Sequence, residues 1–330
     1  MTSMSETASS FQPRALICGV GGQDGAYLAA LLLEKGYAVV GTSRDASAMQ
    51  RRGLQALGIE HKVDVVSMAL NDFRSVLQTI TRCRPDEVYN LAGQTSVGLS
   101  FEQPVETIES IAIGVLNLLE AIRFANQPMR LYNAGSSECF GDTGAQPANE
   151  DTAFRPCSPY AVAKACAHNL VSNYRESYRM HACTGILFNH ESPLRPERFV
   201  TQKIVRAASR IARGSGEKLS LGNLDIERDW GWAPEYVEAM WKMLQLTQPE
   251  DLVIGTGRTV SLEYFVERAF SHFGLDWRQH VRQDKALLRP SDIRRGAANT
   301  ARARERLGWQ PRREIEDVVA GMCEDAANRK

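Results

Sequence analysis

Residues 14–25 read RALICGVGGQDG, a short apolar run that passes directly into a glycine-rich turn. Beyond it, apolar side chains recur at helical spacing from Tyr27 to Leu33, and a second apolar run occupies Ala38–Gly41. The order of strand, glycine-rich turn, helix and strand is that of a βαβ unit. Glycine in such a turn lets the backbone approach a pyrophosphate at the N-terminus of the helix. The stretch therefore predicts a dinucleotide-binding turn at the start of a parallel sheet.

Helices and strands continue to alternate along the chain. The pattern predicts helices near Asp72–Thr81 and Val105–Ala125, and strands at Glu87–Leu91 and Met129–Asn133. Such alternation is typical of the α/β class, and we expect a Rossmann-type doubly wound parallel sheet with a smaller C-terminal substrate-binding lobe.

The two parts of the chain differ in composition. We expect residues 14–188 to form the NADP-binding Rossmann domain. From residue 189 to 330, prolines and glycines break the chain into shorter pieces, and arginine becomes frequent. This part predicts mainly the substrate-binding lobe, although Val253 and Ile254 have the character of a strand that returns to the main sheet. The polar residues 1–13 predict a disordered tail, because they lack the apolar core of a signal peptide.

Composition narrows the function classes. Lys plus Arg and Asp plus Glu both number 39, so neither a nucleic acid nor a membrane is favoured as a partner. No apolar run approaches the ~18 residues that cross a bilayer. Seven cysteines, an odd number without a Cys-x-x-Cys pair, predict reduced thiols in a cytoplasmic protein. The six histidines show no metal-ligand spacing, so we expect no metal site.

The end of the second strand predicts the choice of dinucleotide. An arginine there suits the 2′-phosphate of NADP, and an acidic residue suits the ribose of NAD. Arg44, which follows Ser43, favours NADP. Asp45 keeps NAD open, since its carboxylate can pair with Arg44 or bind a 2′-hydroxyl.

A Tyr-x-x-x-Lys pair lies further along the chain. Tyr160 and Lys164 are four residues apart in a segment that reads as helix from Pro159, so they should share one face. An unperturbed tyrosine has a pKa of about 10, and lowering it by three units needs about 4 kcal/mol. A lysine ammonium and an oxidised nicotinamide ring together provide this, which makes the pair suited to removing hydride from a carbon that bears a hydroxyl.

The sequence Ser136-Ser137-Glu138 follows the strand predicted at Met129–Asn133. The carboxyl ends of strands carry the chemistry in doubly wound sheets. A serine hydroxyl there can bind the substrate oxygen that Tyr160 deprotonates. Glu138 would face the adjacent carbon, where a carboxylate can remove a proton and convert dehydrogenation into elimination of water.

Longer runs of sequence carry a family resemblance. The runs are GQDGAYL at 22–28, EVYNLA at 87–92, SPYAVAK at 158–164, NYRES at 173–177, LFNHESPLR at 187–195, LGNLDIERDWG at 221–231 and LGWQP at 307–311. From about Arg14 to the C-terminus, the chain resembles the extended short-chain dehydrogenase/reductases and, within them, the GDP-mannose 4,6-dehydratase family.

The resemblance implies a defined reaction on a GDP-sugar, with NADP as the cofactor and NAD possible. Tyr160 takes the proton of the sugar 4-hydroxyl while hydride leaves C4 for NADP⁺. Glu138 removes the C5 proton, and water leaves from C6. Hydride then returns from NADPH to C6, which gives GDP-4-keto-6-deoxymannose.

The resemblance also implies roles for individual residues. It implies catalytic roles for Ser136, Glu138, Tyr160 and Lys164. The implied cofactor-binding set is Gly19, Gly22, Gln23, Asp24, Gly25, Arg44, Leu91, Ala92, Tyr160, Lys164, Leu187, Asn189, His190 and Arg195. The implied substrate-binding set is Ser96, Ser137, Asn189, Val200, Lys203, Leu219, Gly222, Arg228, Arg289 and Asp292. The family implies a homodimer or homotetramer.

Departures from the family pattern cluster at the adenosine end. The family shows Arg-Arg-Ser-Ser after the second strand, where this chain has residues 44–47, RDAS. The family's Gly-Asp-Met aligns with Met68-Ala69-Leu70, so the aspartate on the adenine side is replaced. In addition, Ser136 takes the place of a threonine, and Asp292 that of a glutamate.

Three alternatives remain open at the level of sequence. The same centre would serve GDP-manno-heptose, a longer sugar. An epimerase or 4-reductase of the same fold would use Tyr160 and Lys164 without needing Glu138. A non-catalytic NADP-sensing or scaffold protein would fit the altered adenosine pocket but not the intact set of Ser, Glu, Tyr and Lys.

Overall fold

The computed structural model describes residues 12–329. The tail predicted at 1–13 therefore lies, apart from its last two residues, outside the described residues. The strands are β1 (Arg14–Cys18), β2 (Ala38–Ser43), β3 (Asp64–Ser67), β4 (Glu87–Asn90), β5 (Arg130–Ala134), β6 (His181–Leu187), β7 (Asn189–Glu191), β8 (Leu219–Leu221), β9 (Glu227–Trp232), β10 (Leu252–Ile254), β11 (Thr259–Ser261), β12 (Val281–Gln283) and β13 (Arg295–Gly296).

The helices connect and cover these strands. They are α1 (Gln23–Glu34), α2 (Arg52–Ala56), α3 (Phe73–Cys83), α4 (Val97–Glu102), α5 (Pro104–Ile108), α6 (Gly114–Ala125), α7 (Pro159–Tyr178), α8 (Val200–Ala212), α9 (Ala233–Gln245), α10 (Leu262–His272), α11 (Ala301–Leu307) and α12 (Ile315–Asn328). No helix among residues 12–329 is both long and apolar enough to cross a membrane.

Seven parallel strands form the main sheet, in the order β3-β2-β1-β4-β5-β6-β10. The predicted Rossmann-type parallel sheet is thus confirmed. The chain moves outward from β1 to β3 and then returns to β4 on the other side of β1. This reversal opens a crevice at the carboxyl ends of β1 and β4, where open α/β sheets bind their ligands.

Apolar residues cover both faces of the main sheet, as a buried parallel sheet requires. Successive residues of β1 point to opposite faces, and both Leu16 and Ile17 are fully buried. On the face of Ile17, helices α1 and α9 pack together, although the sequence separates them widely. On the face of Leu16, helices α3, α6 and α7 form the cover.

The second lobe has its own core. Strand β9 is central to a small sheet, where it pairs in parallel with β7 and β13 and antiparallel with β11. Helices α8, α10 and α12 pack beside this sheet around Phe265 and Phe270, both fully buried. The lobe is not one continuous stretch of chain, because β10, with Val253 and Ile254, pairs with β6 of the main sheet.

Two predicted helices illustrate what local sequence does and does not specify. Helix α3 begins where expected because the side chain of Asp72 accepts a hydrogen bond from the backbone amide of Arg74, at 2.9 Å. The helix predicted at Val105–Ala125 is instead interrupted by a π-helical turn, Glu109–Ile113, between α5 and α6. The interruption lies where Gly114 packs tightly against Leu70, since a Cβ at Gly114 would lie 3.1 Å from the Cβ of Leu70.

Candidate active site

A cavity of about 360 Å³ opens at the carboxyl ends of the main-sheet strands, between the two lobes. Most of the residues implied by the family resemblance meet there. Those that line the cavity are Asp24, Leu91, Ser96, Ser136, Ser137, Glu138, Tyr160, Lys164, Leu187, Asn189, His190, Arg195, Val200, Lys203, Gly222, Arg228, Arg289 and Asp292.

The other implied residues lie outside this lining. They are Gly19, Gly22, Gln23, Gly25, Arg44, Ala92 and Leu219. The glycines form the turn after β1, whereas Leu219 is only 4% exposed and packs in the core of the second lobe. The side chain of Arg44 is 82% exposed and pairs with Glu106 at 3.1 Å.

The glycine turn has the geometry that a dinucleotide requires. Gly19 adopts a left-handed φ of 84°, and its carbonyl accepts from the amide of Gly22 at 3.0 Å. A Cβ at Gly25 would lie 2.4 Å from the same carbonyl oxygen. No side chain of residues 12–329 caps the N-terminus of α1. Its amides are therefore available to an anion, and the turn fits the pyrophosphate of a nicotinamide dinucleotide.

Helix α7 places the tyrosine and the lysine at the cavity. The helix begins at Pro159 because the side chain of Ser158 accepts from the amide of Ala161 at 3.1 Å. Lys164 Nζ lies 5.8 Å from the centroid of the Tyr160 ring and donates to the carbonyl of Ala134 at 2.7 Å. The two side chains therefore share one helix face, at the end of β5.

Burial governs the proton affinities of both groups. It raises the pKa of Tyr160 in the protein alone, and a hydrogen bond with Ser136 offsets only part of this effect. It lowers the pKa of Lys164 to about 8, because an ammonium ion is poorly solvated in the interior. The pKa values of both groups therefore differ from their ordinary values, as is common for groups that transfer protons in active sites.

The segment from Ser136 to Glu138 follows β5 directly. Ser136 caps a 3₁₀ turn, Ser137–Phe140, and its Oγ accepts from the backbone amide of Glu138 at 3.3 Å. This cap directs Glu138 into the cavity. Burial raises the pKa of Glu138, and the positive charges of Arg228 and Arg289 compensate only in part. A carboxyl group with a raised pKa can both accept and donate a proton near neutral pH.

Cations from the second lobe form the opposite wall. Arg228 is only 6% exposed, and its Nη2 lies 3.3 Å from Oδ1 of Asp292. Arg289 lies 3.8 Å from the same oxygen. Lys203 Nζ donates to the carbonyl of Ser220 at 2.9 Å. Guanidinium groups held this way suit the oxygens of a diphosphate.

The adenosine end differs from the arrangement that the sequence left open. Oδ1 of Asp45 accepts from the amide of Ser47 at 2.9 Å, from its hydroxyl at 2.6 Å and from the amide of Ala48 at 3.3 Å. One oxygen of the carboxylate is therefore engaged in its own turn, and Arg44 pairs with Glu106 instead of Asp45.

Several lining residues were missed from sequence. They are Thr95, Val97, Ala134, Gly135, Phe188, Glu191, Arg198, Phe199, Thr201, Leu221, Asn223, Ile226, Trp230, Leu262 and Leu287. Arg198 is the most informative of them, because its Nη2 donates to Oγ1 of Thr95 at 3.3 Å and so connects the two sides of the cavity. Its local sequence gives no signal of this contact, because Arg198 and Thr95 are 103 residues apart.

Solved structures place the fold in a class. UDP-glucose 4-epimerase of Thermus thermophilus, solved with NAD, matches with a TM-score of 0.84 and 24% identity, over 96% of this chain and 99% of that chain. The dTDP-glucose 4,6-dehydratase of Bacillus anthracis str. Ames, also solved with NAD, matches with a TM-score of 0.83 and 18% identity, over 94% and 96%. The fold is that of the extended short-chain dehydrogenase/reductases.

Sequence comparisons then identify the family. The family model described as GDP-mannose 4,6 dehydratase matches residues 16–322. GDP-mannose 4,6 dehydratase 1 of Arabidopsis thaliana is 44% identical over 321 residues, which cover 94% of this chain and 89% of that protein. GDP-mannose 4,6-dehydratase of Sinorhizobium fredii (strain HH103) is 42% identical, over 94% and 95%. The chain belongs to the GDP-mannose 4,6-dehydratase family, which confirms the resemblance.

Proposed function

We propose that this protein is a GDP-sugar 4,6-dehydratase that converts GDP-mannose to GDP-4-keto-6-deoxymannose and water. The observation that carries the proposal is the position of Glu138. Its half-buried carboxyl group lies in the same cavity as Tyr160 and Lys164, and faces cations that suit a diphosphate. Membership of the family supports the same activity.

The side chains would divide the proton transfers between them. Tyr160 accepts the proton of the 4-hydroxyl, and the Ser136 hydroxyl holds the substrate oxygen in place. Lys164 supplies positive charge beside the phenolate. Glu138 removes the proton from C5, which a neighbouring ketone acidifies, and then protonates the departing C6 hydroxyl. A nicotinamide cofactor, when bound, supplies the hydride acceptor and donor for this chemistry.

We propose NADP as this cofactor. The support is Arg44, whose side chain is exposed at the end of β2, whereas one oxygen of the Asp45 carboxylate already accepts hydrogen bonds from Ser47 and Ala48. The pairing of Arg44 with Glu106 is solvent-exposed, so a 2′-phosphate would compete for the guanidinium at little cost. Binding isotherms for NADP and NAD with wild type and Arg44→Ala test this, and equal loss of both would contradict it.

Two alternative functions would use the residues of the site differently. An epimerase or 4-reductase needs Tyr160 and Lys164 but leaves Glu138 without a role. GDP-manno-heptose as substrate needs the same three groups. The sugar is therefore assigned as mannose on family membership alone.

One experiment separates these functions. Purified protein is incubated with GDP-mannose without added cofactor, and the nucleotide is followed by mass spectrometry. We expect the loss of one water molecule, because hydride is returned within a single turnover and bound cofactor suffices. An unchanged mass, together with NADPH-dependent turnover of a 4-keto sugar, would replace the proposal with a reductase. GDP-manno-heptose in parallel tests the longer sugar.

We also propose a homodimer, with a homotetramer as the larger alternative. Val105, Ile113 and Val162 are 68%, 40% and 46% exposed, on helices that pack beside one another at the surface. Burial of such side chains against a second copy would be favourable. Light scattering of wild type and Val162→Asp tests this interface, and a wild-type monomer at micromolar concentration would contradict it.

A further inference from the structure

A histidine and an aspartate connect the glycine turn to the second lobe. His190 lies in β7, and its Nε2 is 2.9 Å from Oδ2 of Asp24, the second residue of α1. Its other ring nitrogen, Nδ1, is 2.7 Å from the carbonyl oxygen of Phe188, at the end of the main sheet. The ring is 8% exposed and stacks on Tyr236, with 4.5 Å between the ring centroids.

The partners of the ring dictate its protonation. A carboxylate and a backbone carbonyl only accept hydrogen bonds, so both ring nitrogens must donate. Imidazole carries a proton on both nitrogens only as the cation. Since both N–H groups are directed at protein atoms, neither is available to a ligand in the cavity.

Further hydrogen bonds hold the same pair. Nε2 of Gln23 donates to Oδ1 of Asp24 at 3.0 Å and to the carbonyl of His190 at 3.2 Å. The hydroxyl of Ser192 donates to Oε1 of Gln23 at 2.8 Å. The first turn of α1 and the strand β7 are therefore joined by a closed set of polar contacts.

We propose that Asp24 and His190 are a positioning pair, in which a charged imidazolium fixes β7, including its first residue Asn189, against the cofactor-binding turn. The pair would set the relative position of the two walls between which the nicotinamide must lie. This role differs from direct binding of the cofactor by the imidazole ring, and it does not depend on which sugar is the substrate.

The surrounding charges agree with a cationic ring. Burial alone lowers the pKa of His190, but Asp24 outweighs it, so the pKa lies above its ordinary value. Burial likewise raises the pKa of Asp24, but His190 outweighs it and the pKa is lowered. Arg195 and Glu191, from the segment of β7, also face the pair with opposite charges, and Tyr236 of α9 contributes an un-ionised ring.

Nitrogen NMR of ¹⁵N-histidine-labelled protein tests the proposal directly. At pH 8 we expect one imidazolium signature that disappears in His190→Gln, and a neutral ring at that position in Asp24→Asn. A neutral His190 in the wild type would overturn the proposal, even if no variant folds. So would an Asp24→Asn spectrum in which His190 stays cationic.

A second measurement separates positioning from general stability. Hydrogen exchange of residues 188–192 should accelerate at least tenfold in Asp24→Asn, and the affinity for NADP should fall by a similar factor. Because the two residues act as one unit, the double variant should bind NADP no more weakly than the worse single variant. His61→Gln is the matched control, since His61 pairs with Glu60 on the surface. Additive losses in the double variant would contradict the pairing.

Discussion

Replacing Glu138 with glutamine isolates proton transfer from every other feature of the site. Glutamine keeps the size of the side chain, and the hydrogen bond from the residue's own backbone amide to Ser136 is unaffected. The change removes only the group that accepts and donates a proton. Asp292, the carboxylate whose charge acts on Glu138, is already paired with Arg228 at 3.3 Å.

The expected magnitude follows from this lack of a substitute. A positioned acid or base contributes about 10²- to 10⁴-fold to a rate. Glu138 would act twice, at C5 and at the C6 hydroxyl, so we expect the upper part of this range. A 10³- to 10⁴-fold loss of kcat corresponds to about 4–5.5 kcal/mol in the barrier. KM should change little, because glutamine keeps the size of the side chain.

The assay follows two events in the same sample: loss of water by mass spectrometry, and reduction of bound nicotinamide by absorbance. Glu138→Gln should still reduce the cofactor slowly while forming no dehydrated product. Tyr160→Phe is the matched comparison, and it should abolish both events. Dehydration by Glu138→Gln within tenfold of the wild-type rate would show that Glu138 is not the base.

Gly25→Ala should abolish retention of the nicotinamide cofactor and lower the Tm, because its Cβ would lie 2.4 Å from the carbonyl oxygen of Gly19. Cofactor content and Tm are measured against Gly216→Ala, whose Cβ would meet open space, and a wild-type cofactor content in Gly25→Ala would contradict the prediction. For Lys164, burial lowers the pKa to about 8, so kcat/KM should decline above that pH, and a profile that stays flat to pH 9.5 would refute this. In the unfolded chain, Lys164 has the ordinary lysine pKa of about 10.4, so between about pH 8 and this value the unfolded state binds more protons than the folded state. The free energy of unfolding should therefore rise across this range, and Lys164→Met should lack the rise. Arg228→Lys replaces a planar guanidinium, which can bind two diphosphate oxygens at once, with a single ammonium, so we expect KM for the GDP-sugar to rise about 10- to 100-fold with kcat largely kept. Steady-state kinetics test this prediction, and a fall in kcat alone would contradict it.

Local sequence specified the parts of the site that depend on neighbouring residues. The glycine turn between β1 and α1 was readable because its residues are contiguous and only glycine tolerates the close approach at Gly25. Tyr160 and Lys164 were readable because helical spacing alone places them on one face. Fold class followed from the alternation of helices and strands.

Contacts between distant residues were not readable in the same way. Arg228 and Asp292 are separated by 64 residues, and their pairing depends on how β9 and the segment before β13 meet. Arg44 pairs with Glu106, which is 62 residues away and comes close only in the fold. The hydrogen bonds of Asp45 within its own turn are local, but propensity does not rank them above a pair with Arg44. The π-helical turn at Glu109–Ile113 lies next to the close approach of Gly114 to Leu70, a long-range contact that the helical pattern does not show.

The division of the cavity between the two lobes bears on how such enzymes diversify. Groups assigned to proton movement stand on the turn after β5 and on α7, whereas most cations stand on the second lobe. Preference for a new nucleotide can therefore evolve, or be grafted, on one lobe while the other keeps its chemistry. Arg228 and Arg289 are the exceptions, because their charges act on Glu138 across the cavity. A chimera designed to make other deoxysugars should exchange the nucleotide pocket and inherit these two arginines unchanged.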